Sequence, residues 1–325
     1  MAIGDQITAQ RYNDIQTRVA NVLGNGSSDR GYGQTPVSSQ VTQNVDTVEA
    51  ADMNNLYTDM RAILQHQTNA DPTTISQVVA EVDLITDDDT NDTTKGYLDY
   101  ETLSIQLDTN RHLCSDDQST VSNIVTTTSA AINATRTTAW NGTIVHKFTL
   151  DFNSADHYRH FFNSGGQVRI YSDITGGTGK QDDWDTMLFN AGIIIFDYQE
   201  TVSSKVSGTA YAIGAYDLVV GGGYSLIYSK AGSGLYAEND YLVYVKRNSN
   251  TQLQFLIEFR DDDAGDDTGD TNNDGFVNPI DEDVQPTLTT QIQARRASGS
   301  FVAVAAPTGA NLITLAADNE TSPTP

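Results

Sequence analysis

Apolar residues near the N-terminus recur with the spacing of amphipathic helices. Residues 7–23 predict a first helix, with Thr8 as its N-cap and Gly24 as its end. Residues 48–66 predict a second helix with a similar apolar stripe. The stripes are Ile7, Tyr12, Ile15, Val19 and Val22 on the first helix, and Val48, Met53, Leu56, Met60 and Ile63 on the second. The pair forms either a helical hairpin with its own core or a docking element for other subunits.

The segment between these helices, residues 24–40, is rich in Gly and Ser and predicts a long loop. Long loops inside compact domains usually have a function, and binding a neighbouring subunit is one such function. Residues 76–85 fit a strand or a helical turn equally well. Residues 109–138 show a thin helical pattern rich in Ser and Thr, so we interpret the region 71–139 as a connector.

From Trp140 onward, apolar and polar residues alternate, which predicts strands. The strand at 143–152 has its buried face on the even-numbered residues from Ile144 to Phe152, and the strand at 167–174 repeats the pattern. Short helices are predicted at 154–162 and 181–192, packed on the sheet. Further strands are predicted at 192–199, 211–220, 224–230, 240–247, 252–260, 288–297 and 301–305. The predicted fold class is α+β: an N-terminal α-helical region, then a mainly antiparallel β-sheet body with short helices.

The net negative charge of the chain limits which binding partners we expect. The 325 residues include 43 acidic and 18 basic side chains, a formal net charge of −25. Such a surface repels nucleic acid and anionic membranes and attracts cations. No segment has the features of a signal peptide or the length of a membrane span, so we expect a soluble protein that is cytosolic or built into a larger particle. Cys114 is the only cysteine, which excludes an intrachain disulfide.

Four stretches of the chain are distinctive: WNGTI (140–144), FNSADHYRHFFNSGGQVRI (152–170), RRASGSFVAV (295–304) and GNGSSDRGYGQ (24–34), the last lying between YND and NNLYTD. Together these stretches resemble a family of virion proteins of tailed bacteriophages, common in marine and cyanobacterial phages (cyanophages). The likeness covers most of the chain. It implies a structural viral protein of the neck, tail or baseplate, without catalytic residues to transfer.

The resemblance and the patterns lead to one organisation. Residues 1–70 are expected to anchor the chain to other virion proteins, 71–139 to connect, and 140–325 to form the body with an acidic loop at 261–286. We expect a homo-oligomer, because such proteins act by symmetric assembly. It is expected in the virion after assembly in the host cytoplasm, with no direct nucleic acid contact and no membrane insertion.

One segment of the acidic loop matches a calcium-binding loop. DTNNDGFVNPID (270–281) fits the D-x-[DN]-x-[DN]-G pattern. The expected Ca²⁺ ligands are the side chains of Asp270, Asn272 and Asp274, the carbonyl of Phe276, and Asp281 in place of the usual glutamate. Pro279 and the lack of flanking helices depart from the pattern. The alternative is a solvated loop between paired strands at 255–260 and 288–297.

Other candidate chemistry is weaker. His157 and His160 lie on one helical face, but no third ligand is near in sequence, so we interpret them as packing and hydrogen-bonding residues at the sheet surface. GGTGK (176–180) lacks the spacing of a phosphate loop, and no G-x-S-x-G context supports a nucleophile. The prediction is therefore a non-enzymatic protein. A receptor- or glycan-binding tail module, with loop 261–286 at its tip, is the alternative; a polysaccharide-degrading enzyme is a third hypothesis.

Overall fold

A computed structural model describes residues 8–43, 45–83, 85, 96–175, 180–263, 275, 277 and 283–316, with the backbone alone at 313–316. The chain divides into two compact units. The first, called the helical unit, comprises Met1–Thr120, Asp156–Gly166 and Arg296–Ala305. The second, called the sandwich unit, comprises Val121–Ala155, Gln167–Arg295 and Ala306–Pro325. This division differs from the predicted boundaries at 70 and 139, because both units are built from segments distant in sequence.

The helical unit contains α1 (Ala9–Leu23), α2 (Ala50–Thr68), α3 (Tyr97–Thr109) and, from Asp156 onward, α4 (Ala155–Asn163). The predicted start and end of α1 are confirmed, since Thr8 Oγ1 accepts from the Arg11 amide and Gly24 follows the last residue. Most residues of the predicted stripes of α1 and α2 form the core, whereas Val48 is half-buried and Ile7 lies outside the described residues. Their buried residues include Tyr12, Ile15, Val19, Val22, Met53, Leu56, Met60 and Ile63.

The loop at 24–40 folds back on the helical unit. The Tyr32 amide donates to the Val22 carbonyl at 2.9 Å. The buried carboxylate of Asp59 on α2 accepts from the Val37 and Ser38 amides and from the Ser38 hydroxyl. The carboxylate thereby satisfies backbone donors that would otherwise be buried without partners.

The sandwich unit consists of two antiparallel sheets of six strands each. In the first, the order is β1-β11-β4-β5-β6, with β2 also paired to β11; in the second, it is β12-β3-β10-β9-β8-β7. The strands are β1 (Ser119–Asn123), β2 (Asn133–Arg136), β3 (Gly142–Asp151), β4 (Gln167–Ile174), β5 (Ile194–Phe196), β6 (Thr201–Ser203), β7 (Thr209–Ala210), β8 (Ser225–Ala231), β9 (Asp240–Ser249), β10 (Gln252–Asp261), β11 (Leu288–Ala297) and β12 (Thr308–Ala316). Helix α5 (Lys180–Ala191) also belongs to this unit. The predicted α+β class is confirmed.

The two sheets pack face to face. The rings of Phe196 on β5 and Phe255 on β10 meet edge to face, with centroids 5.6 Å apart. The predicted inward face of β3 is confirmed, because Ile144, Phe148 and Leu150 are fully buried. The predicted pairing of 255–260 with 288–297 is wrong: β10 pairs with β3 and β9, whereas β11 lies in the other sheet.

Four further predictions need correction. Residues 119–123 and 133–136 are strands rather than helix, in keeping with the strand preference of their β-branched residues. Residues 211–220 form turns rather than a strand. Within them, Gly214 lies so close to the Gln199 backbone that an added Cβ on Gly214 would be 2.3 Å from the Gln199 carbonyl carbon. Residues 301–305 make one isolated bridge, Ser298 to Ala303. Helix α4, predicted to pack on the sheet, belongs from Asp156 onward to the helical unit, where Arg159 and His160 contact the Asn25 carbonyl.

Candidate functional site at the base of the acidic loop

The predicted calcium ligands Asp270, Asn272, Asp274, Phe276 and Asp281 lie outside the described residues. Gly275, between them, is described and has φ of +90°, a value that favours glycine. Among the described residues, no group of three or more His, Cys, Asp or Glu side chains is arranged to hold a metal ion. In the same ranges, no helix is long and apolar enough to cross a bilayer.

A charged cluster, called the buried triad, lies where the acidic loop leaves the sheet. It consists of Lys180, the first residue of α5, and of Asp261 and Asp263 at and just after the end of β10. Their side chains are 1%, 0% and 0% exposed. Lys180 Nζ lies 3.1 Å from Asp261 Oδ1, 3.3 Å from Asp261 Oδ2 and 3.2 Å from Asp263 Oδ2. One ammonium group therefore bridges two carboxylates out of contact with water.

Local sequence explains how the triad is placed. Asp261 lies two residues after Phe259 on β10, so both side chains point to the buried face of the sheet. Lys180 lies one helical turn before Trp184, and it therefore shares the buried face of α5. Asn239 fixes the chain after β10, because its Oδ1 accepts from the amides of Asp262 and Asp263 at 2.9 and 3.2 Å.

Aromatic rings surround this part of the unit. Trp184 packs against Trp140 with centroids 5.2 Å apart and against Phe259 at 6.1 Å. The ring of the buried Tyr236 lies 5.7 Å from Lys180 Nζ. Such surroundings have a low local dielectric, which strengthens attraction between the charges and makes their desolvation costly.

Electrostatics keep Lys180 charged. Burial alone would lower its pKa, but the charges and hydrogen bonds of Asp261 and Asp263 outweigh burial and raise the pKa above its usual value. Near them, burial raises the pKa values of Asp240 and Asp262, and Arg260 only partly offsets this effect. Protons are therefore held more tightly here than by ordinary surface carboxylates.

A second polar arrangement joins the two sheets through the core. His146 Nδ1 on β3 lies 2.8 Å from Thr290 Oγ1 on β11, and Thr290 Oγ1 lies 3.0 Å from Ser172 Oγ on β4. Ser172 Oγ lies 3.1 Å from the Tyr241 hydroxyl on β9. All four residues are buried, and burial lowers the pKa of His146 to about 4, with a smaller contribution from the Arg136 charge. The imidazole is thus neutral at physiological pH.

The two histidines of α4 belong to a third arrangement, in the helical unit. His157 Nε2 lies 2.9 Å from the Ala305 carbonyl oxygen, and His160 Nε2 lies 3.0 Å from that of Asn25. Arg159 donates to the carbonyls of Asn25 and Arg30 at 2.8 and 2.6 Å. The predicted hydrogen-bonding role of the histidines matches this geometry, but their partners lie in the helical unit rather than on the sheet.

Sequence patterns indicated the loop but not the buried triad. In the sequence, Lys180 is the last residue of a glycine-rich turn, and Asp261 and Asp263 are two members of a long acidic run. The usable signal was the position of Lys180 four residues before Trp184. Comparisons of the chain with family models, with curated proteins and with solved structures gave no match.

Proposed function

We propose that the chain is a structural component of a tailed-phage virion, in the neck, tail or baseplate, assembled in the host cytoplasm. The observation that supports this role is that three segments carrying the family resemblance come together in the helical unit. The loop at 24–34 is contacted by α4 through Arg159, and by the segment 295–304 through the hydrogen bond from Gln34 Nε2 to the Ala303 carbonyl. Arg61 on α2 lies over the ring of Phe301, at 5.3 Å. Three of the four resembling segments thus contribute to one compact unit, whereas 140–144 lies in the sandwich unit.

Assembly in this proposal uses the helical unit as a whole. Residues 1–70 are the predicted anchoring region, and Arg11 on α1 links them to α3 through an ion pair of two hydrogen bonds with Glu101. The unit also has exposed apolar side chains: Leu98 and Ile105, two turns apart on α3, are 48% and 54% exposed. Exposed apolar residues on one helical stripe suit contact with another copy of the chain.

The experiment that tests assembly compares two variants by light scattering after size exclusion. Leu98→Glu combined with Ile105→Glu is expected to shift the protein from oligomer to monomer while circular dichroism stays unchanged. Phe189→Glu is the matched control, because Phe189 is 63% exposed on α5 of the sandwich unit. A wild-type chain that is monomeric at all concentrations contradicts the proposed homo-oligomer.

A receptor- or glycan-binding role is the second candidate, and one surface feature favours it. Tyr198 and Tyr216 pair with ring centroids 5.3 Å apart, and Tyr216 is 56% exposed. Aromatic faces beside polar groups suit the stacking of sugar rings. Binding to an array of bacterial surface glycans that is lost in Tyr216→Ala, but kept in Tyr171→Ala, would favour this role; no binding by the wild type would reject it.

The calcium loop stays a proposal carried by its sequence. We expect Ca²⁺ to bind with a Kd of about 10⁻⁵ to 10⁻³ M, because Asp281 reaches less far than a glutamate. Titration calorimetry with CaCl₂ should give one site in the wild type and none in Asp270→Ala combined with Asp274→Ala. The control is Asp266→Ala combined with Asp267→Ala, which removes the same charge outside the motif. Equal heats for both variants would show nonspecific attraction by the acidic run.

A further inference from the structure

The buried triad places an amine, a carboxyl carbon and a proton carrier within reach of one another. Lys180 Nζ contacts both carboxylate oxygens of Asp261, at 3.1 and 3.3 Å, so it faces that carboxyl group as a whole. From Asp263, Nζ contacts the side-chain Oδ2 at 3.2 Å and the main-chain carbonyl oxygen at 3.4 Å. The two aspartates therefore make different contacts with Nζ: Asp261 through both side-chain oxygens, and Asp263 through Oδ2, which can accept a proton, and its main-chain carbonyl.

We propose that Lys180 and Asp261 join through an intramolecular isopeptide bond, with Asp263 carrying the proton. This inference goes beyond the proposed virion role and does not depend on it. Both reacting groups belong to the same chain, and the reaction occurs once per molecule.

The reaction balances without any added reactant. Asp263 takes a proton from the Lys180 ammonium, and the freed amine forms a bond from Nζ to Cγ of Asp261. The Cγ bond to one Asp261 oxygen then breaks, and this oxygen leaves as water. Two ammonium protons leave with that oxygen, the third stays on the amide nitrogen, and Asp263 ends as a carboxylate. Nothing is oxidised or reduced.

Burial favours this reaction in two ways. An ion pair in an apolar environment is costly, and a neutral amide removes both charges of the pair. Fixed neighbours also react as if at very high concentration, with effective molarities of about 10⁵ to 10⁸ M in well-oriented cases. These effects work against the low nucleophilicity of Lys180, which its two aspartate partners keep protonated. The reaction can be slow, because each chain forms the bond only once.

The bond would lie at the base of the acidic loop, where it would link the start of α5 directly to the end of β10. Residues 261–283 carry ten acidic and no basic side chains, which repel one another. A covalent link holds the base of such a loop against this repulsion at any salt concentration.

Mass spectrometry of the full-length, folded wild-type chain tests the proposal. After ageing at neutral pH and denaturation, its mass is expected to be lower than the sequence mass by one water molecule. Trypsin should not cleave after Lys180, and the digest should contain a branched peptide joining Lys180 to Asp261. A wild-type chain of full sequence mass, with cleavage after Lys180, overturns the proposal and leaves an ion pair only.

Three variants separate the roles. Asp263→Asn keeps an oxygen near Nζ but cannot carry the proton, so this chain should keep its full mass while folded. Asp261→Asn should still react, releasing ammonia instead of water, and should reach the same final mass as the joined wild type. Lys205→Met changes an exposed lysine and should leave the bond intact. Reaction in Asp263→Asn at the wild-type rate would reject its assigned role.

Discussion

Charged side chains hold the chain together differently in the two units. In the helical unit, the Arg159 side chain remains 18% exposed and binds loop carbonyls, and Arg111, 20% exposed, pairs with Asp29. In the sandwich unit, the three side chains of the buried triad are at most 1% exposed. Water screens the first kind of contact and not the second. We therefore expect the same type of substitution to cost far more in the sandwich unit.

The chain offers separate probes for this comparison. Both tryptophans, Trp140 and Trp184, lie in the sandwich unit, so their fluorescence reports on its unfolding. The described helices of the helical unit, α1 to α4, dominate the far-UV circular dichroism. Urea denaturation followed by both signals thus resolves the two units.

The largest effect is expected for Lys180→Met. Relative to wild-type chain that still has its full sequence mass, removing the ammonium leaves two buried carboxylates without their cation, which should lower the free energy of unfolding by about 3–5 kcal/mol. Lys205→Met, at an exposed lysine 4.6 Å from the Phe189 ring, should cost at most about 1 kcal/mol. Equal effects in tryptophan fluorescence would remove the contrast between buried and exposed charges.

The next effect depends on pH. The folded pKa of His146 is about 4, below the ordinary value of 6.5, so below pH 6.5 the unfolded chain takes up the proton first. Stability should therefore fall between pH 6.5 and 4 by up to about 3 kcal/mol, and this contribution should not change further below pH 4. His146→Asn keeps a hydrogen-bonding group near Thr290 but does not titrate. Between pH 6.5 and 4, the free energy of unfolding of His146→Asn, followed by tryptophan fluorescence, should fall less than that of the wild type. An equal fall in both chains would assign the loss to other titrating groups.

A smaller loss is expected for Asp59→Asn in the helical unit. The buried carboxylate accepts from two amides and a hydroxyl, and the neutral amide replaces one acceptor oxygen with a donor. The cost should be about 2 kcal/mol by circular dichroism. Asp71→Asn is the control, because the Asp71 side chain is 57% exposed and its substitution should cost much less than Asp59→Asn. Similar losses at both sites would show that the loop at 24–40 is not held by Asp59.

The smallest difference compares Gly33→Ala with Gly221→Ala. Both glycines have φ near +70°, so each alanine should cost about 1–2 kcal/mol of backbone strain. A Cβ at Gly33 would also lie 2.3 Å from His160 Nδ1, whereas nothing lies within 4 Å of one at Gly221. We expect Gly33→Ala to cost about 1 kcal/mol more. Equal costs would indicate that α4 does not press against this loop in solution.

The sequence predicted features that depend on neighbours along the chain. The N-cap Thr8 and the end at Gly24 were correct because capping is local. Helix α3 lacks a single apolar stripe, since Tyr100 and Leu103 are buried while Leu98 and Ile105 are exposed apolar residues. A helix with apolar residues on two faces gives no clear period.

Features that depend on tertiary contacts could not be predicted this way. The aromatic face of α4 indicated burial but not which element would cover it. Lysine is rarely buried, so the periodicity of α5 did not include Lys180 in its apolar face. The buried triad exists only because β10 brings Asp261 and Asp263 to the start of α5.

Direct localisation tests the proposed virion role most simply. Antibodies raised against the purified chain would be applied to particles purified from the lysate in which the chain is made, and viewed by negative-stain electron microscopy. We predict labelling of tailed particles at one fixed position in the neck, tail or baseplate. A chain found entirely in the supernatant, with unlabelled particles, would contradict the proposal.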